Sequence, residues 1–296
     1  MQERANSVAM IGLGLVGEAI VHRLQRAGYT VLGWDTAPDR RDAPGMRGVT
    51  IAGSAHDAAV GAGFVLLALP DTAAVKTVLE EITAVLVTGT IVVDFGTSDP
   101  RAVTGWASLL RTRDVALVDA PLSGSSEQIR KGEAVAMVGG EDSAWQASAL
   151  LVQAIAPNAF HMGGSGSGSR AKLATNLLLG LNRAALAEAM VFAEALGIDP
   201  GAFLSLVRQT PAYSRAVDAK GEKMRTRDYK AQSRIRQHRK DLRLMLEAAR
   251  AAPCALPFTE THARVLDAAI AAGDGELDNA AIIETIRRWP PAPALP

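Results

Sequence analysis

Two patterns of apolar residues divide the chain near residue 163. Before that point, short apolar runs alternate with segments in which apolar residues recur every three or four positions, as at Val75, Val78, Leu79 and Ile82. Apolar runs separated by helical segments are typical of parallel strands with helices on both faces. We interpret these runs as strands: SVAMIGL, YTVLGWD, GFVLLALP, TIVVDFG, VALVDAP, AVAMVGG and AFHMG. The first half therefore predicts a doubly wound α/β domain built on a parallel sheet.

After residue 164 the pattern is helical throughout. The longest segment runs from about residue 168 to Leu196, and Gly197 is well placed to end it. Counted from Arg170, its roughly 27 residues would extend about 40 Å, which is more than one small domain needs. Further helices are predicted near residues 200–210, 213–225, 234–251, 257–272 and 278–289. We expect two domains, residues 1–163 and an all-helical domain at residues 164–296, with the long helix between them.

Composition indicates an ordinary soluble globular protein. The chain has 296 residues, 48% hydrophobic and 21% charged, with 31 Lys and Arg against 31 Asp and Glu. This balance gives no reason to expect nucleic acid or a membrane as partner. The apolar faces of the long helix need partners, so a homodimer or homotetramer is expected.

The sequence carries no sign of a secretory signal or a membrane span, and Cys254 is the only cysteine. A cytoplasmic location is therefore expected. The five histidines have no zinc-like spacing with each other or with Cys254. We expect no metal site, although this spacing does not test a site made of carboxylates alone.

A glycine motif follows the first strand and opens a helix. Gly12 would permit the tight turn, Gly14 would let the backbone approach a pyrophosphate, and Gly17 would let the helix pack closely on the strand. This context, with an acid about 20 residues further on, predicts a dinucleotide site. The residues of the turn are Gly12, Leu13, Gly14, Leu15, Val16 and Gly17.

The acid at the end of the second strand is Asp35. It would accept hydrogen bonds from the adenosine ribose and repel a 2′-phosphate, which favours NAD over NADP. Arg40 and Arg41 follow in the next loop and offer the alternative, because they could swing toward a phosphate. They could equally be solvated loop charges.

Three later segments follow strands, where ligands of open α/β sheets bind. Leu69 and Pro70 end one strand, and Thr97 follows the next. Thr97 could lie near the nicotinamide ribose or could cap the helix that begins at residues 98–100. Ser123, Gly124 and Ser125 follow a later strand and could donate hydrogen bonds to a carboxylate.

The loop has a second interpretation, because Ser125 lies three residues before Gln128, the spacing of a capping box. Downstream, GGSGSGSRAKLATN leads from a glycine and serine segment into the long helix. Lys172 and Asn176 are four residues apart there and lie on one helical face.

Five motifs in order resemble the β-hydroxyacid dehydrogenase family, which includes 3-hydroxyisobutyrate dehydrogenase and tartronate semialdehyde reductase. They are GLGLVG, DFGTSDP, DAPLSG with MVGG, GSGSRAKLATN and KDLRLMLEAA. The resemblance implies a Rossmann-type domain followed by an all-α C-terminal domain. It also implies NAD(P)-dependent hydride transfer between a small 3-hydroxy acid and its semialdehyde.

The resemblance further implies a role for each matching residue. Lys172 would be the general acid and base and Asn176 its polar companion, while Leu69, Pro70 and Thr97 would contact the nicotinamide side of the cofactor. The carboxylate of the substrate would bind at Ser123 and Gly124. Lys240 would reach the cofactor or substrate, although without the resemblance this lysine is more typical of a solvated helix face.

Two departures from the family pattern bear on the substrate. Many relatives continue the loop as SGG, whereas this chain continues with Ser125, Ser126, Glu127 and Gln128, and Gly96 stands where a serine is common. A basic run also precedes Lys240; it is usually an exposed face, but it would favour extra negative charge on the substrate if it lined the site. Its members are Arg234, Arg236, His238 and Arg239.

Two other functions are compatible with the predicted fold. One is an imine-reducing enzyme, and the other is a dinucleotide sensor without catalysis. Both would commonly lack a lysine at the position of Lys172, so its presence favours the dehydrogenase.

Overall fold

The computed structural model describes residues 7–290. Residues 1–6, on which the argument against a secretory signal partly rests, lie outside that range. The chain forms two compact units, Met1–Lys172 and Leu173–Pro296. Within the described range, no helix combines the length and apolar character needed to cross a membrane.

A six-stranded parallel sheet forms the centre of the first unit. Its spatial order is β3-β2-β1-β4-β5-β6, the order of a Rossmann-type sheet. The strands are β1 (Ser7–Ile11), β2 (Thr30–Trp34), β3 (Thr50–Ile51), β4 (Phe64–Leu67), β5 (Ile91–Asp94) and β6 (Ala116–Asp119). The order reverses between β1 and β4, so their carboxyl ends open the crevice where such sheets bind ligands.

Helices cover both faces of this sheet. In β1, Val8 and Met10 belong to one buried apolar cluster, while Ala9 and Ile11 belong to another. Successive strand residues point to opposite faces, so each face has its own core. The helices of this unit are α1 (Leu15–Arg26), α2 (Pro38–Arg41), α3 (Ala55–Ala59), α4 (Thr72–Ile82), α5 (Pro100–Arg111), α6 (Ser126–Lys131) and α7 (Asp142–Ile155).

A separate three-stranded sheet completes the first unit. It contains β7 (Leu122–Ser123), β8 (Val135–Val138) and β9 (Asn158–His161), with β7 antiparallel to β8 and β8 parallel to β9. The expectation that AVAMVGG and AFHMG join the parallel sheet is therefore wrong. An apolar run marks a buried strand but does not identify its neighbour, and here the chain reverses direction at β7.

The second unit is helical, and its described residues contain no strand. The long helix α8 (Ser167–Ala195) begins in the first unit and continues into the second. Five helices follow: α9 (Pro200–Val207), α10 (Glu222–Thr226), α11 (Ile235–Ala251), α12 (Pro257–Ala271) and α13 (Ile282–Arg287). The prediction of an all-α C-terminal part is confirmed.

The C-terminus of α8 was predictable because a glycine, Gly197, follows it. Gly197 has a positive φ of 78°. Its N–H donates to Glu194 O at 3.0 Å, and the N–H of Ile198 donates to Ala193 O at 2.9 Å. This pair of bonds is a Schellman motif, which favours glycine at the left-handed position.

Candidate active site

The carboxyl ends of five parallel strands lie in one row. Ile11 pairs with Trp34 and with Leu67, Leu67 pairs with Asp94, and Asp94 pairs with Asp119. The segment after each of these residues therefore starts at the same edge of the sheet. The glycine turn, Asp35, Leu69 with Pro70, Thr97 and the Ser123 loop all follow these strand ends.

The glycine turn has the geometry that each glycine was expected to provide. Gly12 has a φ of 95°, and a Cβ there would clash with the carbonyl oxygen of Ala68. A Cβ at Gly17 would clash with the carbonyl oxygen of Gly12, so α1 begins against the turn itself. A Cβ at Gly14 would meet nothing within 4 Å. Open space beside Gly14 fits the close approach of a pyrophosphate.

The side chains within the turn divide between core and surface. Leu13 is fully buried, whereas Leu15 and Val16 are 62% and 38% exposed. Leu13 therefore packs inside the unit and can reach a ligand only through its backbone. Leu15 and Val16 remain accessible to a bound cofactor.

Asp35 is held against the turn by two backbone donors. Its Oδ2 accepts from Leu13 N at 2.7 Å, and its Oδ1 accepts from Ala37 N at 2.9 Å. The carboxylate is thus fixed at the end of β2, where a ribose diol is recognised in dinucleotide folds. Arg40, one of the two arginines behind the NADP alternative, has its Nε 3.9 Å from Asp39 Oδ2, an acid of its own segment.

The loop after β5 is shaped by Asp94. Its Oδ1 accepts from Gly96 N at 2.8 Å, and its Oδ2 accepts from Ser98 Oγ at 2.8 Å. The residue that caps α5 is Asp99, whose Oδ1 accepts from Arg101 N at 2.9 Å. The alternative in which Thr97 caps this helix is therefore wrong. Thr97 lies on a loop that the buried Asp94 holds in place.

The Ser123 loop closes with the capping box that the spacing predicted. Ser125 Oγ accepts from Gln128 N at 3.2 Å, and Ser125 N donates to Gln128 Oε1 at 2.8 Å. The Ser125 N–H is thus already engaged, which leaves its hydroxyl hydrogen for a substrate. Ser123 is partly exposed at the end of β7, and Gly124 is exposed with a φ of 149°.

Lys172 lies at the root of the same loop. Its Nζ donates to the carbonyl oxygen of Leu122 at 2.7 Å. Leu122 directly precedes Ser123, so the ammonium group and the first candidate donor to a substrate carboxylate are adjacent. Lys172 and Leu122 are 50 positions apart in the sequence, so no local pattern could predict this contact.

Asp119 anchors the start of α8 and was not identified from the sequence. This fully buried carboxylate accepts from Gly166 N at 2.7 Å and from Ser169 N at 2.6 Å. A Cβ at Gly168 would clash with the carbonyl oxygens of Met137 and Asp119. The glycine segment before Lys172 therefore permits close packing, and the negative charge stabilises the helix N-terminus.

Two predicted residues of the second unit lie around Asp241. Asn176 Nδ2 donates to Asp241 Oδ2 at 3.2 Å, and Lys240 Nζ lies 3.7 Å from Asp241 Oδ1. The side chain of Lys240 is 20% exposed, so it is not a fully solvated lysine. The sequence did not identify Asp241 as a candidate, although the KDL motif contains it.

The arginines of the basic run before Lys240 pair with acids of their own unit. Arg234 and Arg236 pair with Glu276 at 3.3 and 3.0 Å, and Arg239 pairs with Asp267 at 2.7 Å. His238 is 6% exposed, so it is not part of an exposed basic face. These pairs remove the main argument for a substrate with extra negative charge.

Family models account for almost the whole chain. Residues 7–164 match the NAD binding domain of 6-phosphogluconate dehydrogenase. Residues 166–286 match the NAD-binding family of NADP-dependent 3-hydroxyisobutyrate dehydrogenase. The chain belongs to the β-hydroxyacid dehydrogenase family.

Similar proteins of the β-hydroxyacid dehydrogenase family match over nearly their full length. A probable 3-hydroxyisobutyrate dehydrogenase-like protein of Arabidopsis thaliana is 31% identical, with 95% of this chain and 93% of the relative covered. The 2-(hydroxymethyl)glutarate dehydrogenase of Eubacterium barkeri is 28% identical over 95% of both chains. The solved structure of 3-hydroxyisobutyrate dehydrogenase from Mycobacterium tuberculosis with L-serine has a TM-score of 0.88 and 26% identity, covering 95% of this chain and 99% of that chain.

The described residues fit the NAD(P) cofactor of the β-hydroxyacid dehydrogenase family. The space beside Gly14 and the fixed carboxylate of Asp35 provide a phosphate turn and a ribose acceptor. Across residues 7–290, no group of three or more His, Cys, Asp or Glu side chains is arranged to hold a metal ion.

Proposed function

We propose that this protein is an NAD-dependent dehydrogenase that interconverts a small 3-hydroxy acid and its semialdehyde. The observation that carries the proposal is the 2.7 Å hydrogen bond from Lys172 Nζ to Leu122 O. This bond supports the proposal because the amine of Lys172 lies next to the Ser123 loop, in the same compact unit as the glycine turn.

Each residue of the proposed site has a distinct role. Bound NAD would supply the hydride acceptor. Ser123 Oγ and Gly124 N–H hold the substrate carboxylate by directed hydrogen bonds. Lys172 in its neutral form takes the hydroxyl proton during oxidation, and in reduction its ammonium form returns a proton to the carbonyl oxygen. Asn176, one turn further along α8, orients the reacting oxygen.

The substrate class follows from what the names of similar proteins have in common. 3-Hydroxyisobutyrate and 2-(hydroxymethyl)glutarate in the names of the relatives, and the L-serine in the Mycobacterium tuberculosis structure, all have the form HOCH₂–CHR–COO⁻ and differ only in R. We propose a substrate of this form. A panel of such acids, followed by absorbance of the reduced cofactor, would identify R, and NAD binding without turnover on any acid would contradict the proposal.

Replacing Lys172 by alanine tests the assigned acid and base. Turnover should fall by roughly 10²- to 10⁴-fold, the usual contribution of such a group, while the Kd for NAD stays unchanged. Lys131→Ala is a matched control, because this exposed lysine ends α6 close to the same loop and pairs with Glu127. Near-normal turnover of Lys172→Ala on the best substrate would exclude the role.

The preference for NAD is tested at Asp35. Asp35→Ser removes the charge that would repel a 2′-phosphate, so kcat/KM with NADP should rise and kcat/KM with NAD should fall. The ratio of the two values is the measurement. An unchanged ratio would show that Asp35 does not determine the preference for NAD over NADP.

We also propose that the protein self-associates through α8. Large apolar side chains on this helix are exposed in the single chain, which is unusual for a stable monomer. They are Leu178 (61%), Leu179 (46%) and Phe192 (64%), and Leu196 (61%) directly follows the helix. Sedimentation of the wild type should give a dimer or tetramer, and Phe192→Asp should shift it toward smaller species.

A further inference from the structure

A carboxylate in the second unit determines the orientation of the Asn176 side chain. Asp241 is 8% exposed, and its Oδ2 accepts from Asn176 Nδ2 at 3.2 Å. An ionised carboxylate can only accept hydrogen bonds, whereas an amide has a donor end and an acceptor end. The NH₂ group of Asn176 must therefore face Asp241, and its carbonyl Oδ1 must face away.

Two cations lie around this carboxylate. Lys240 Nζ lies 3.7 Å from Asp241 Oδ1. Arg183, on the same helix as Asn176, is 4% exposed, and its Nε and Nη2 have no hydrogen-bond partner in residues 7–290. Burial lowers the pKa of Arg183 to about 10, and the negative charges of Asp278 and Asp241 oppose that shift.

Asp278 is the other acid that interacts with Arg183, but it already has close partners. It receives two hydrogen bonds from Lys220 Nζ, at 2.7 and 3.0 Å, and further bonds from the backbone N–H groups of Gln232 and Ala280. The charge of Asp278 is thus largely compensated. Arg183 thus lies in the field of two acids, and Asp241 is the one that is hydrogen-bonded to Asn176.

Lys220 and two buried histidines also feel the charge of Arg183. His238 and His262 have ring centroids 5.2 Å apart, and burial together with the charge of Arg183 lowers the pKa of both below the usual value. A Cβ at Gly180 would clash with His238 Nε2, so this glycine lets His238 approach α8 one turn after Asn176.

We propose that Asp241 is a positioning residue that acts through Asn176, with Arg183 as its buried counter-charge. Asp241 fixes the amide so that Asn176 Oδ1 is presented to the reacting groups, and the buried positive charge of Arg183 balances the negative charge of Asp241. This inference rests on the proposed function, because it requires Asn176 to act in turnover.

A double-mutant cycle in the full-length protein tests the proposal. Asn176→Ala and Asp241→Asn should each lower kcat by roughly 10- to 100-fold, the scale of a hydrogen bond to a charged group, with the Kd for NAD unchanged. An amide at position 241 can donate or accept, so it no longer fixes the orientation of Asn176. The double variant should be no slower than Asn176→Ala alone, because Asp241 acts only through that side chain.

Variants of Arg183 provide a second test, which includes a conservative substitution expected to restore kcat. Arg183→Met should lower kcat in the wild-type background and have no effect in the Asp241→Asn background. Arg183→Lys keeps the charge and should recover most of kcat. Asp267→Asn, which breaks the exposed pair with Arg239, is the matched control and should leave kcat unchanged.

The outcomes separate this inference from the proposed function. If Asn176→Ala has normal turnover, the role of Asn176 fails and the inference fails with it. If Asn176→Ala is slow and Asp241→Asn slows it further by its full single-variant factor, Asp241 acts independently; the inference is then overturned and the proposed function stands. Normal turnover of a folded Asp241→Asn variant also overturns it.

Discussion

Gly14 and Gly17 lie three residues apart in one turn but constrain the chain in different ways. Gly14 has φ −66° and ψ −170°, angles open to alanine, and space around its Cβ position. Gly14→Ala should therefore fold normally but weaken NAD binding by about tenfold or more, because the methyl group occupies the pyrophosphate space. A fluorescence titration measures the Kd, and wild-type affinity would contradict the assignment of the turn.

Gly17→Ala is the contrasting variant. Its Cβ would clash with the carbonyl oxygen of Gly12, which is backbone and cannot rotate away. The free energy of unfolding should fall by about 1–3 kcal/mol, the usual cost of overpacking. Urea unfolding in the absence of NAD measures this loss. An equal stability of the Gly14→Ala and Gly17→Ala variants would refute the contrast.

Local residues of the site could be predicted from the sequence, and long-range anchors could not. The roles of Gly12 and Gly17 follow from a turn of six residues, and the Ser125 capping box follows from a spacing of three. Asp119 bonds residues 47 and 50 positions away, and Asp241 bonds one 65 positions away. Such pairings depend on how strands and helices pack, which no local pattern states.

The capping box of α6 ties a helix end to the candidate carboxylate loop. Gln128→Ala removes the acceptor of the Ser125 N–H, although the Ser125 hydroxyl can still cap Gln128 N. We expect a loss of about 1 kcal/mol in the free energy of unfolding, the typical value for a cap. Ser125→Ala should cost a similar amount, and the double variant should cost less than the sum because both variants break one reciprocal motif. Full additivity in urea unfolding would contradict this coupling.

At the scale of elements, helix periodicity was more informative than apolar runs. The long helix was expected from about residue 168, and α8 is Ser167–Ala195 with the glycine of its Schellman motif at position 197. In contrast, AVAMVGG and AFHMG were assigned to the wrong sheet, and β3 and β7 have only two residues each. A helix forms its backbone hydrogen bonds within one segment, whereas a strand forms them with a neighbouring strand that the local sequence does not identify.

At the scale of the whole molecule, buried histidines should make the helical unit sensitive to acid. His238 and His262 are 6% and 4% exposed; burial lowers the pKa of His238 well below 6.5 and that of His262 to about 4. In the unfolded chain both would titrate near 6.5, so below that pH the unfolded state binds more protons than the native state. Stability is therefore complete above pH 6.5 and is lost as pH falls from 6.5 toward 4.

The expected slope is up to about 1.4 kcal/mol per pH unit for each histidine in that window. Urea unfolding between pH 5 and 7.5, followed by circular dichroism, measures it. His262→Leu should flatten the dependence, since its apolar side chain has no proton to bind in either state, whereas His56→Leu should not, because the side chain of His56 is 46% exposed. Equal slopes for the wild type and His262→Leu would show that the acid sensitivity arises from other groups.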